Sequence, residues 1–267
     1  MLAGETVIPK DLPDFDLTQP EIEVQIQNAK PDVIIHAGAY TDVDGSEHNP
    51  NLAMTVNRDG TARVARAAAR VGARLMYVST DYVFDGAATA PYTEQDAPNP
   101  INTYGMSKWL GEQAALASGA DALVVRTAWL YGHHGKNFVK SIMRAARREP
   151  GLRVVSDQRG CPTFAEDLAS ALIALMAKKV SGVIHVTNRG DCTWHEFAQA
   201  IVREMGLTVP VAPITTEEAG RVAKRPRFSV LNQDRLVSLG VQMPEWRRSL
   251  AQFVKMQGDG SLAGGDA

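Results

Sequence analysis

Cysteine is nearly absent from this chain: its 267 residues hold two, Cys161 and Cys192. Their spacing suits neither a disulfide framework nor a metal site, so they read as reduced thiols of a cytoplasmic protein. Long apolar runs are missing as well. None approaches the roughly 18 residues of a membrane span, and no signal peptide precedes the first polar turn. Charge of one sign is not in excess, with 28 Lys and Arg against 30 Asp and Glu. That balance leaves no basic footprint for nucleic acid and no acidic tail. No internal repeat is evident. Glycine is present, 22 times, but nowhere as G-x-G-x-x-G or G-x-x-G-x-x-G, the turn that seats a dinucleotide pyrophosphate on a helix N-terminus. His133-His134 carries no metal signal, because neighbours on a loop rarely point at one ion and no acidic partner is spaced for it; the pair reads as exposed polar loop.

What is present alternates between strands and helices. Strands are expected at Glu5–Pro9, Asp32–Gly38, Arg74–Ser79, Ala122–Thr127, Leu152–Val155 and Val183–Val186. The second of these, DVIIHAG, is an almost unbroken apolar run of the kind covered on both faces of a parallel sheet. Helices are expected after Thr18-Gln19-Pro20, where a cap and a Pro open the first turn, and over the Ala-rich stretch from Asn51 to Arg70. Others are expected at Thr103–Ala117, Asn137–Arg148, Phe164–Lys178, Thr193–Met205 and Glu245–Met256. This order predicts an α/β fold with a doubly wound parallel sheet, Rossmann-like and NAD(P)-binding, with a smaller, interleaved C-terminal substrate domain. The expected division is a dinucleotide-binding domain over 1–157, a mainly substrate domain over 158–254 and a disordered tail over 255–267. Met1 to Glu5 reads as the end of a first helix entering a second strand. The chain is therefore expected to be truncated before its first strand and glycine turn, which lie at the middle of such a sheet.

One stretch reads as chemistry rather than packing. The apolar run Leu75-Met76-Tyr77-Val78 ends in Ser79-Thr80-Asp81, and a helical segment after a Pro-rich loop presents Tyr104 and Lys108. Positions four apart share a helix face, so the phenol and the ammonium can serve one spot. A strand-end hydroxyl, a Tyr and a Lys form a proton-transfer set suited to hydride addition at a carbonyl, whose nascent alkoxide needs a proton near neutral pH. An adjacent cation favours the ionised phenol. Both Thr80 and Thr127 fall at the carboxyl ends of strands, where ligands of doubly wound sheets bind.

The segments HAGAYTDVDGSE, STDYVFDG, YGMSK, RTAWLYG, DQRGCPT, TWHEFA and RPRFSVL, in this order, resemble the dTDP-4-dehydrorhamnose reductases of the extended short-chain dehydrogenase/reductase superfamily. The resemblance spans about residues 5–254. It implies reduction of the 4-keto group of dTDP-4-dehydro-L-rhamnose by hydride from NADPH or NADH, within dTDP-rhamnose biosynthesis. Thr80, Tyr104 and Lys108 would be the catalytic triad, with Tyr104 as proton donor, Lys108 lowering its pKa and holding the nicotinamide ribose, and Thr80 fixing the carbonyl. Asp16 and Leu17 would lie near the adenine. Ala37, Gly38, Ala39 and Tyr40 would line the cofactor after His36, which stands where the family usually has Asn, and Asn57 would lie close to it. Asp81, Trp129, Asn137, Phe138 and Arg225 would meet the substrate, Trp129 stacking on the base and Arg225 binding the diphosphate. A homodimer and Mg²⁺ at dimer contacts also follow from the resemblance, with no ligands identified for the ion. Two other readings remain open here: another nucleotide-sugar epimerase, dehydratase or reductase, and a non-catalytic subunit resembling the methionine adenosyltransferase beta subunit. Tyr82 directly after Asp81, in place of a second acid, disfavours the dehydratase.

Overall fold

The structure, a computed structural model, describes residues 4–258. In chain order, helix α1 (Glu21–Ala29) leads to strand β1 (Val33–His36). Helices α2 (Val43–His48) and α3 (Pro50–Ala53) pass through a π-helical segment, Met54–Gly60, into α4 (Thr61–Val71) and then β2 (Arg74–Thr80). Next come α5 (Thr103–Leu116), β3 (Ala122–Thr127), β4 (Leu130–Tyr131), α6 (Phe138–Ala146) and β5 (Leu152–Val155). Strands β6 (Arg159–Gly160) and β7 (Thr163–Phe164) precede α7 (Ala165–Met176), β8 (Gly182–His185), β9 (Cys192–Thr193) and α8 (Trp194–Glu204). Strand β10 (Val211–Ile214) and helices α9 (Thr216–Ala219), α10 (Asp234–Ser238) and α11 (Trp246–Gly258) follow.

The main sheet holds four parallel strands in the order β1-β2-β3-β8. Its strands are apolar because both faces are covered. One face packs on Ile22, Ile26, Val64, Ala68 and Ala115 from α1, α4 and α5. The other packs on Leu168, Leu172, Leu175 and Leu236 from α7 and α10. This is the doubly wound arrangement the sequence predicts. Register places Ser79 opposite Arg126 and Thr80 opposite Thr127, so the strand ends that carry polar residues are level with one another.

Several expectations are corrected. Glu5–Pro9 is not a strand: Val7 and Ile8 are 61% and 52% exposed, and among the described residues β1 bonds only to β2. A strand exists by pairing, and two apolar residues cannot supply a neighbour. The helix expected from Asn51 is interrupted by the π-helical turns around Asn57, a form that often marks functional positions. Strand β5 does not join the main sheet; it pairs with β10, far along the chain. Lys255 to Gly258 extend α11 rather than opening a disordered tail, and the rest of that expected tail lies outside the described residues. A separate core forms around Tyr131, Phe164, Phe197 and Phe253, between α6, α8 and α11. His133 belongs to its edge rather than to an exposed loop. Its side chain is 8% exposed and 3.2 Å from Glu166, and its ring lies 5.0 Å from that of Phe253. His134 is exposed as expected.

Candidate active site

The site grows from the end of β2. Thr80 leaves the strand extended and its hydroxyl oxygen accepts from the Tyr82 amide at 3.1 Å, turning the chain into a short 3-10 segment. The same hydroxyl donates to Asp81 at 3.1 Å, and Ser229 donates to the other Asp81 oxygen at 2.5 Å. Burial pushes the Asp81 carboxyl up to about 6, against the pull of the Ser229 and Thr80 hydrogen bonds. The loop that follows is anchored where Phe84 stacks on Tyr92, with ring centres 4.1 Å apart.

Helix α5 supplies the opposite wall. Its first turn is fixed by Asn102, whose side chain accepts from the Gly105 amide at 2.7 Å, and by Glu47, which accepts from the Thr103 amide at 2.7 Å. Gly105 lets the helix press on the loop: a Cβ there would lie 2.1 Å from the Tyr82 carbonyl oxygen. Tyr104, Lys108 and Glu112 share one face, as their fourfold spacing requires. Lys108 is 3% exposed. Its ammonium donates to the Val78 carbonyl at 2.7 Å and sits 4.2 Å from the centre of the Tyr77 ring. Burial lowers the Lys108 pKa to about 7, with Glu112 opposing. Tyr104 is driven the other way, to about 12, because burial and Asp81 outweigh its hydrogen-bond contact with Thr80. The expectation that a neighbouring cation would favour the ionised phenol is outmatched here by desolvation, and Tyr104 stands in its protonated form.

The turn after β1 is tied to this wall by Asn57. Its amide oxygen accepts from the Tyr40 amide at 2.8 Å, and its nitrogen donates to the Tyr40 carbonyl at 3.0 Å and to Ser107 at 2.9 Å. Ala37 and Gly38 leave their backbone exposed at the strand end. A Cβ on Gly38 or Gly60 would press on Leu17 at 3.1 or 2.8 Å, so Leu17 closes the floor of this turn, while Asp16 accepts from the Thr18 amide at 2.8 Å. His36 is a buried core histidine: its ring stacks on Tyr77 at 5.2 Å, it bonds Thr61 at 3.0 Å, and burial then Lys108 hold it near 3, so it is neutral.

Beyond β3 the chain turns sharply at Trp129, whose φ is 48°. A bulky residue seldom holds this left-handed conformation, and such strain clusters at functional positions. The Trp129 indole stacks on Trp194 at 3.5 Å with the planes 7° apart. Phe138 packs on Trp194 at 4.5 Å. A Cβ on Gly160 would lie 2.6 Å from the indole of Trp129, which explains a glycine in that position. Asn137 caps α6, accepting from the Lys140 amide at 3.1 Å and donating to the Gly132 carbonyl at 2.8 Å. Arg225 forms two 3.0 Å bonds to Asp44. It lines an open cavity of about 560 Å³ with Asp157, Thr216, Arg221, Lys224 and Arg227. Among the described residues no group of three His, Cys, Asp or Glu is arranged to hold a metal ion.

The structure thus brings Thr80, Asp81, Tyr104 and Lys108 together, with Tyr40 tied to the same helix through Asn57. Trp129 and Phe138 meet at Trp194, and Arg225 sits on α2 through Asp44. Sequence reasoning missed Tyr82, Glu112, Asp44 and Trp194. The YxxxKxxxE spacing could have found Glu112. Tyr82 stands edge-on to Tyr104 at 5.9 Å, and nothing in its local sequence announces that contact.

A doubly wound sheet with a hydroxyl, a phenol and an ammonium at the carboxyl ends of its strands defines the Rossmann-like class built for nicotinamide chemistry. Comparison with known proteins makes the assignment specific. The chain belongs to the family described as RmlD substrate binding domain, which matches residues 2–258. It is 41% identical to dTDP-4-dehydrorhamnose reductase of Mycobacterium tuberculosis (strain ATCC 25618 / H37Rv), over 93% of this chain and 84% of that protein. It is 40% identical to the spore coat polysaccharide biosynthesis protein SpsK of Bacillus subtilis (strain 168), over 85% of this chain and 80% of that one. Among solved structures, dTDP-4-dehydrorhamnose reductase from Bacillus anthracis str. Ames in complex with NADP superposes with a TM-score of 0.90 at 40% identity. The match covers 92% of this chain and 88% of that one. No helix of the described residues is long and apolar enough to cross a membrane.

Proposed function

We propose that this chain reduces the 4-keto group of dTDP-4-dehydro-L-rhamnose to dTDP-L-rhamnose. The observation that carries this reading is the convergence of Thr80, Tyr104 and Lys108 at level strand ends in a chain about 40% identical to named reductases over most of its length. NADPH supplies the hydride when bound, the choice over NADH resting on the NADP held by the Bacillus anthracis relative. The residues present fit its ribose end: a buried ammonium on α5, a phenol one turn away, and the exposed Ala37–Gly38 backbone over Leu17.

Thr80 orients the carbonyl oxygen by turning its one hydroxyl proton from Asp81, to which it donates at rest, to that oxygen. Tyr104 gives its proton to that oxygen as negative charge develops, which suits a phenol resting protonated. Lys108 stabilises the phenolate left behind and grips the ribose. Asp81, buried and bonded to Ser229, holds the loop that carries Tyr82 beside the sugar. Trp129 offers an indole face to the base, an exchange of apolar area that needs no fixed hydrogen bonds. Arg225 turns from Asp44 towards the diphosphate, to which a guanidinium can bind bidentately. The main sheet with its helices acts as the dinucleotide half, and the core around Phe164 and Phe197 as the substrate half, with β8 interleaved.

The test is consumption of NADPH absorbance in the presence of dTDP-4-dehydro-L-rhamnose. Cofactor binding without consumption overturns the reading. A pH profile adds a check. Lys108 is charged below about 7 and neutral above it, so the rate falls as pH rises through that value. A rate flat from pH 6 to pH 9, on the order of the span either side of that pKa, removes Lys108 from its role.

A further inference from the structure

Glu112 is 0% exposed, and a carboxylate is almost never fully buried unless paired. Its two oxygens take three donors: Ser79 Oγ at 2.6 Å, Arg126 Nε at 2.9 Å and Arg126 Nη2 at 2.7 Å. Ser79 precedes Thr80 on β2, and Arg126 precedes Thr127 on β3. One turn earlier on α5, Lys108 bonds Val78 of the same strand end. The helix is thus pinned to the two strand ends by two adjacent side chains of opposite charge. The buried cluster carries two cations, Lys108 and Arg126, against one anion. Arg126 Nη1 is buried without a hydrogen-bond partner, and its guanidinium lies 5.1 Å over the Phe84 ring. The cluster has no charge to spare.

We propose that Glu112 is the buried counter-ion of Lys108, a positioning residue that keeps the ammonium charged and holds α5 against the strand ends of the site. The other ionisable groups around Lys108 cannot take this part. Tyr104 on its own helix and Tyr77 on β2 are held neutral by burial. His36 on β1 is also neutral, and Arg126 on β3 adds a second cation. Asp81, past the end of β2, is engaged by Thr80 and Ser229. Without the Glu112 charge two cations share one dry pocket, and Lys108 gives up its proton, since desolvation already works against it.

Glu112→Gln keeps the shape and a hydrogen bond to Ser79 but removes the charge. Resting on the reductase reading, the alkaline limb of its rate profile moves to lower pH by about one unit; that is a rate about tenfold below the parent at pH 8 and within about twofold at pH 6. A second readout needs no turnover. A Lys whose folded pKa is depressed favours unfolding while it is charged, and stability recovers as pH rises above the folded value. The Tm gap between parent and Glu112→Gln is therefore widest near pH 6 and closes towards pH 9. If Glu112→Gln does not fold, Glu112→Gln with Arg126→Met replaces the pair by uncharged groups of similar volume, which buried sites often tolerate; with the second cation gone, its rate profile and Tm gap move in the same sense but by less than the single variant's expected unit. A gap constant with pH, or a loss of rate equal at every pH, reduces Glu112 to a structural clamp and overturns the proposal. If the parent shows no turnover, the reductase reading fails while the Tm gap still decides the role of Glu112.

Discussion

Tyr104→Phe is expected to lose turnover by about two to four orders of magnitude, the worth of a positioned general acid, while folding and binding NADPH as the parent does. The substitution removes one oxygen and no packing. The ring stays edge-on to Tyr82, and the Asn102 cap of α5 is untouched. The phenol is the one group at this spot both protonated at neutral pH and one turn from a cation. Asp81, with a carboxyl pushed up only to about 6 and already accepting from Ser229 and Thr80, is mostly ionised at pH 7 and cannot replace it. Single-turnover rates with bound NADPH check this, and a rate within tenfold of the parent, about 1.4 kcal/mol, takes Tyr104 out of its role. The thermal midpoint of the variant should match the parent, separating loss of chemistry from loss of fold.

The candidate site was legible in the sequence because its parts are local. An apolar run closing on Thr80 and a Tyr–Lys pair at fourfold spacing need no knowledge of distant contacts, and the structure sets them against each other across a strand end. The doubly wound sheet was legible for the same reason: DVIIHAG and ALVVRT are apolar without alternation, which only a strand covered on both faces tolerates. What could not be read depends on partners far along the chain. Leu152–Val155 has the composition of a core strand, and only the arrival of Val211–Ile214 decides which sheet it joins. The apolar Val7-Ile8 pair reads as a strand until its exposure to solvent is seen. His133 reads as a surface residue until Phe253, over a hundred positions later, lies beside it. The phenol's pKa was misjudged because sequence shows the cation and not the burial. Glu112 lay in plain sight two turns beyond Tyr104, but the Arg126 that explains it is on another strand.

Trp129→Ala carries the second large effect: KM for the dTDP-sugar rises about 10- to 100-fold, from the roughly 1–3 kcal/mol that base–aromatic stacking contributes, with kcat within a few-fold of the parent. The indole is two residues beyond Thr127, itself opposite Thr80, so a base held there places the rest of the substrate along the strand ends towards Tyr104. The φ of 48° at Trp129 is a left-handed backbone that a bulky residue seldom holds, a strain of the kind found at functional positions. Alanine also relieves part of that strain less well than glycine would, which makes Trp129→Gly a useful companion: it restores backbone freedom without restoring the ring. If the strained turn alone mattered, the glycine variant would recover KM; if the indole face matters, both variants stay weak. Trp194 sharpens the comparison. It covers one face of Trp129 at stacking distance, so quenching of tryptophan fluorescence by dTDP should be prominent in the parent and largely gone in Trp129→Ala. An unchanged KM in Trp129→Ala would move the base elsewhere and leave the stacked indoles as part of the neighbouring aromatic core.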